Sequence, residues 1–131
     1  MAGYTIRSLE DIPDVLGDYP GEMRMMTYEI GAEKAAFTWR RMPPRTGGKG
    51  SYGHRHKEAE EIYFVAEGTL QFKLEDDVFD LDAGTVILVP PHVVRSVWND
   101  SDEDAVVIIV SNRVSDPRTD AETVPDFWPD E

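Results

Sequence analysis

An all-β fold, a sandwich or a closed barrel, is what this sequence predicts, on three observations. From residue 69 onward the chain runs TLQFKL, VFDL, TVILVPP, VVRSVW and AVVIIVS, short apolar segments divided by EDD, DAG and NDSDED. No amphipathic helical stretch separates them, so neighbouring strands have only one another to pack against. The 131 residues are one domain's worth, enough to bury a core.

Taken in order, residues 1–22 read as an N-terminal arm. Residues 4–7 are strand-like, and Ser8 followed by Glu10 and Asp11 suits the start of a helical turn. Pro13, Gly17 and Pro20 keep anything there short. The barrel domain, residues 23–115, opens with MRMMTYEI (23–30) and AFTWRRM (36–42), two strands either side of a turn at 31–34. The loop PPRTGGKGSYG that follows has the composition of a pocket rim. Within TLQFKL, Leu70, Phe72 and Leu74 alternate with Gln71 and Lys73, so one face is packed and the other wet. The AVVIIV run has the length of a strand buried on both faces or set against a partner. Asn99, at a strand end before a polar turn, suits a structural hydrogen bond. The acidic tail, residues 116–131, carries Phe127 and Trp128, which are costly to leave in water. Those rings are expected to dock on the chain's own barrel or on a second subunit.

Composition excludes several function classes. With 26 acidic against 13 basic residues and a net charge of −13, the surface is unsuited to a phosphate backbone, so no nucleic-acid partner is expected. The absence of cysteine removes disulfides, thiolate metal sites and a cysteine nucleophile. No apolar run is long enough to span a bilayer, and the first residues lack a basic start followed by an apolar core. The expectation is a cytoplasmic protein without a membrane partner. A G-x-S-x-G nucleophile turn is absent, and GKGS at 48–51 lacks the earlier glycine and following helix of a phosphate loop.

The chemistry concentrates in GKGSYGHRHKEAEEIYFVAEG, residues 48–68. On extended backbone His54 and His56 point the same way, because side chains alternate faces with a period of two. KEAE reads as a reversal that brings Glu61, the first residue of the next apolar run, back beside them. Two imidazoles and one carboxylate form the ligand set of a divalent first-row transition metal, with coordination positions left open. The candidates are iron, manganese, zinc, nickel and copper.

The spacing G-x5-H-x-H-x4-E-x6-G, carried by Gly48, His54, His56, Glu61 and Gly68, resembles the first motif of the cupins. Gly84, Pro90 and Asn99 stand at the places of the second motif, G-x5-P-x-G-x2-H-x3-N. Two positions depart from it. His92 replaces a glycine, and Arg95 replaces the fourth metal ligand, a histidine. A guanidinium has no lone pair to offer a metal. The resemblance implies a single double-stranded β-helix, a jelly-roll barrel with the motif residues facing its interior, and a homodimer in which edge strands pair between subunits.

Each candidate carries more than one reading. Arg95 either pairs with Glu61 in the metal's place or aims at the negative end of a small-molecule ligand bound beside the metal. His92 is either a substitute fourth ligand swinging in from its turn or an exposed turn residue. Tyr63, two residues from Glu61, is a pocket hydroxyl or a core aromatic. Trp39 and Arg41 share a strand face that lines the cavity or packs elsewhere, and Tyr52 is a rim residue. Two function classes follow. One is a metal-dependent enzyme, a dioxygenase or isomerase acting on a small oxygenated molecule. The other is a metal-free binding or sensing domain built around Arg95 and Glu61.

Overall fold

The computed structural model describes residues 3–130, so the first two residues of the arm and the last of the tail lie outside it. The strands are β1 (Glu22–Met25), β2 (Ala35–Met42), β3 (Gly53–His56), β4 (Glu61–Glu67), β5 (Thr69–Leu74), β6 (Asp77–Asp82), β7 (Val86–Val89), β8 (Arg95–Trp98), β9 (Ala105–Asn112) and β10 (Ala121–Val124). They form two five-stranded antiparallel sheets, ordered β1-β2-β9-β4-β7 and β10-β3-β8-β5-β6. Sequence neighbours alternate between sheets at β2–β3, β3–β4 and β4–β5 and at later crossings, the winding of a jelly roll. No helix among the described residues is long and apolar enough to cross a membrane.

The apolar run of β9 lies between β2 and β4, where both of its edges are hydrogen-bonded. Its inward residues Ala105 and Val107 meet Met42, Tyr63 and Val65 from neighbouring strands, and β5 and β8 contribute Leu70, Phe72 and Val97 from the opposite sheet. Tyr63 and Phe72 stack edge to face across the two sheets, ring centres 5.4 Å apart. Asn99 is fully buried and donates to the carbonyls of Met42 and Glu103, both at 2.8 Å, stitching the loop after β8 to β2.

Two expected strands are reshaped. Residues 4–7 form no ladder, and Tyr4 and Ile6 are exposed. The strand expected at 23–30 stops at Met25, because the chain turns over Thr27 to Gly31, with Ala32 N–H donating to Thr27 O and Gly31 at φ 71°. The buried Thr27 hydroxyl accepts from Phe37 N–H at 3.0 Å, tying that turn to β2. A polar side chain that satisfies the backbone locally competes with continuation of the ladder.

The tail returns to the barrel of its own chain. Asp116 caps a single helical turn, α1 (Pro117–Asp120), and β10 pairs with β3 so that Ala121 faces His56 and Thr123 faces His54. Trp128 is buried and exchanges backbone hydrogen bonds with Gly50 and Ser51. The loop before β3 also lies close against β8. Gly47 sits at φ 124°, where a Cβ would meet Val97 O at 2.2 Å, so only glycine allows that approach.

Candidate metal centre

β3 presents His54 and His56 on one face, with ring centres 5.0 Å apart and planes at 86°. His54 is paired in register with Arg95 of β8, which places the guanidinium on the same face. Glu61 comes from the other sheet, as the first residue of β4, between Ser111 and Val89. The group therefore bridges both sheets at one end of the sandwich. One ligand atom from each of His54, His56 and Glu61 lies within 4.8 Å of the others. Individual contacts are 3.6 Å from His54 Nε2 to Glu61 Oε1 and 3.4 Å from His56 Nε2 to Glu61 Oε2.

Asp120, at the end of α1, organises this end of the site. Its Oδ2 lies 2.8 Å from His56 Nδ1, while Oδ1 accepts from Glu58 N–H at 2.7 Å and so fixes the turn between β3 and β4. Burial works against the Asp120 carboxylate, but the Glu58 amide and the His56 ring outweigh it and lower its pKa. An ionised acceptor at Nδ1 makes that nitrogen a donor, so that in the neutral imidazole a metal would require the lone pair of Nε2 faces Glu61. The 3.4 Å contact is not aligned as a hydrogen bond, and Nε2 is buried without a partner. This is the arrangement a metal-ligating imidazole needs.

The two oxygens of Glu61 have different surroundings. Oε1 accepts from the Tyr63 hydroxyl at 2.6 Å and from Arg95 Nη1 at 3.3 Å, whereas Oε2 accepts no hydrogen bond among the described residues and has the misaligned His56 nitrogen beside it. Burial alone would raise the Glu61 pKa, but contacts with His54, His56 and Tyr63 hold the carboxyl well below the usual range. Tyr63 is pushed the other way, by its burial and then by the Glu61 charge. The Glu61 carboxylate beside His56 raises the imidazole's pKa against desolvation, and Asp120 adds to the effect.

Arg95 is 1% exposed, and its Nη2 donates to Pro90 O at 2.6 Å. It fills the place of a fourth ligand without being one. Because it engages Oε1, the ion pair with Glu61 leaves Oε2 open. His92 is exposed on the turn before β8, outside the converging group. Tyr63 combines both of its readings: it is a core aromatic whose hydroxyl reaches the site. Tyr52 is exposed at the mouth of the larger cavity.

Trp39 and Arg41 stand away from the site, contrary to the cavity-lining reading. Met42 points inward at full burial, so even-numbered residues of β2 face the interior and odd-numbered ones the outer surface. Arg41 pairs there with Glu22 at 2.8 Å and Asp104 at 3.1 Å, and Trp39 borders a separate surface depression together with Leu9 of the arm. Arg40 is the strand's charged contribution to the interior. Its signal was present in the sequence as a charge two residues from a core methionine. Asp120 had no such signal, since only the pairing of β10 with β3 brings it to His56.

Two cavities meet at this group. The larger, about 570 Å³, is bordered by Arg40, Tyr52, His54, Tyr63 and Arg95; the smaller, about 210 Å³, by Thr38, His56, Glu61, Ser111 and Asp120. Imidazole nitrogens with a carboxylate oxygen suit a divalent ion of the iron to zinc series, and the buried, partnerless His56 Nε2 fits that use.

No curated protein matches the chain in sequence. Solved structures resemble it in fold at low identity. The polyketide cyclase RemF from Streptomyces resistomycificus aligns with a TM-score of 0.72 and 17% identity, over 94% of this chain and 85% of that one. A predicted oxalate decarboxylase from Thermotoga maritima gives 0.69 and 21%, over 83% and 99%. A cupin protein from Bacteroides fragilis gives 0.68 and 18%, over 88% of both chains. The chain spans 64% of a longer protein from Acidithiobacillus ferrooxidans that it also resembles. At these identities the likeness establishes the fold. The sequence itself carries the family signature, matching the Cupin domain over residues 39–111, which contain both motifs and the converging His54, His56 and Glu61. The chain belongs to the cupin domain family.

Proposed function

We propose that this protein binds one divalent transition metal through His54, His56 and Glu61 and acts on a small oxygenated molecule in the adjoining cavity. The observation that carries the reading is His56 Nε2, buried without a partner and turned toward Glu61 by the Asp120 contact on the far side of its ring. A bound metal would supply Lewis acidity toward a carbonyl or enediol oxygen, or a site for dioxygen, which are the isomerase and dioxygenase forms of the proposal. The chain's own residues do the rest. Tyr63 and Arg95 hold Glu61 by one oxygen, Asp120 holds His56, and His54 stands partly open to the larger cavity.

The test is the metal content per chain of untagged protein, wild type against the double variant His54→Ala with His56→Ala. About one metal per chain, lost in the variant, is expected from a single three-ligand site. No metal in wild type after incubation with iron, manganese, zinc, nickel and copper would overturn the proposal. The second reading, a metal-free ligand pocket, is favoured by one observation, the 3.3 Å contact from Arg95 to Glu61. Arg95→His separates the two, since it restores a fourth imidazole. Tighter metal binding is expected from it under the first reading and loss of the pocket under the second.

A further inference from the structure

Among the described residues, three buried side-chain nitrogens lack a hydrogen-bond partner: His56 Nε2, Arg40 Nε and Arg95 Nε. The metal reading accounts for the first. Arg95 is otherwise satisfied by Glu61 and Pro90. Arg40 is not. Its side chain forms no ion pair and no hydrogen bond among the described residues, and Tyr19, Tyr52 and Tyr63 border the same cavity. Desolvation accordingly depresses its pKa, an unfavourable position for a guanidinium unless something anionic completes it.

The surroundings describe that missing group. Arg40 borders the cavity of about 570 Å³ that His54 and Arg95 also border, and Leu16, Met23 and Phe72 supply apolar wall. A space of that size takes a ligand with a substantial body. At the mouth, the Tyr19 hydroxyl accepts from Gly47 N–H at 2.8 Å, which ties the arm to the loop carrying Tyr52. Two carboxylates, Glu61 and Asp120, offset two guanidiniums, Arg95 and Arg40, so a divalent ion leaves the enclosed cluster with an excess of two positive charges.

We propose that the larger cavity binds an organic anion, a carboxylate or enolate on an apolar or aromatic body, with Arg40 gripping the anionic end and Tyr19 and Tyr52 framing the mouth. A guanidinium fork suits a planar carboxylate, which it contacts with two parallel hydrogen bonds. The inference deepens the metal-centre reading and rests on it only for the anion's proximity to His54. The grip of Arg40 does not require the metal.

The experiment is calorimetric titration of metal-free and metal-treated protein with benzoate and 2-naphthoate, alongside the neutral benzamide and 2-naphthamide, for wild type, Arg40→Lys and Arg40→Met. A carboxylate is expected to bind wild type in both forms at least about tenfold more tightly than its amide, and to lose about tenfold or more in Arg40→Met, with Arg40→Lys intermediate. Thermal unfolding without ligand is expected to show Arg40→Met at or above wild type, because a partnerless charge has been removed. An amide binding as well as its carboxylate, a carboxylate binding Arg40→Met as well as wild type, or neither carboxylate binding wild type would overturn the proposal. Should Arg40→Met fail to fold, the wild-type carboxylate against amide comparison and Arg40→Lys still decide. Arg40-dependent binding in a protein that takes up no metal would leave this inference standing and remove the metal centre; metal uptake with Arg40-independent binding would do the reverse.

Discussion

The two oxygens of Glu61 are not equivalent, and under the proposed metal site that difference decides how the carboxylate is shared. Tyr63 and Arg95 occupy Oε1, and Oε2 is left facing His56. Removing Arg95 leaves a largely buried carboxylate with one cation fewer, so Arg95→Ala is expected to destabilise the metal-free protein by about 3 kcal/mol, read from urea unfolding. Metal should restore most of that loss, since it supplies the missing positive charge, and a metal-loaded variant still as weak as the metal-free one would count against a shared carboxylate. Acidity follows with a definite sign. The Glu61 pKa is lowered in the folded state, so its contribution is present above its ordinary value of 4.5 and lost as pH falls through the lowered folded value. The His56 pKa is raised, so its contribution is full below 6.5 and lost as pH rises through the raised value. Metal-free protein is therefore expected to be more stable at pH 6 than at pH 8.5, and unfolding midpoints of His56→Ala should show a smaller gap. Metal loading should reverse the preference, because a ligating imidazole must be unprotonated.

The site is an assembly of strand ends, and its least local part is the short α1 and β10 unit. Asp120→Asn keeps the size of the side chain but removes the ionised acceptor that sets the His56 tautomer. Metal affinity is expected to fall roughly 10- to 100-fold in a competition titration, with the barrel still folded. An unchanged affinity would show that Asp120 serves only the turn at Glu58. These elements also mark how far the sequence could be read. Strict alternation in β5 and the continuous apolar run of β9 declared their faces outright, and the His-x-His spacing with a reversal before Glu61 declared the converging group. In β2 two arginines flank the choice of face, and only the burial of Met42 decides that Arg40, not Arg41, points inward. Asp120 contributes through a pairing between segments 64 residues apart, which no local pattern encodes. The strand expected to run to residue 30 ended early because Thr27 satisfies backbone groups that the ladder would have used.

At the scale of the molecule, one sheet edge of this acidic chain carries paired apolar side chains. Ile62 and Phe64 of β4 and Leu88 and Val86 of β7 are paired across the two strands and exposed on the outer face, with β7 at the sheet edge. Adjacent exposed apolar side chains at an open strand edge invite pairing with another chain. A homodimer covering this face is expected, with sedimentation showing two chains for wild type and one for Leu88→Lys. A net charge of −13 per chain makes the subunits repel, so association should strengthen as salt is raised from low levels. A wild-type protein that sediments as a single chain at every concentration would remove the expectation.

The 64-residue span of the His56 to Asp120 contact also bears on time. Closing so long a loop is entropically slow, so the tail is expected to settle on β3 after the rate-limiting step of folding. Interactions absent from that transition state change the unfolding rate and leave the folding rate alone. Metal held by an imidazole that Asp120 orients should therefore act as a brake: refolding as fast as in the stripped protein, and unfolding slower in stopped-flow by the full factor of the gained stability.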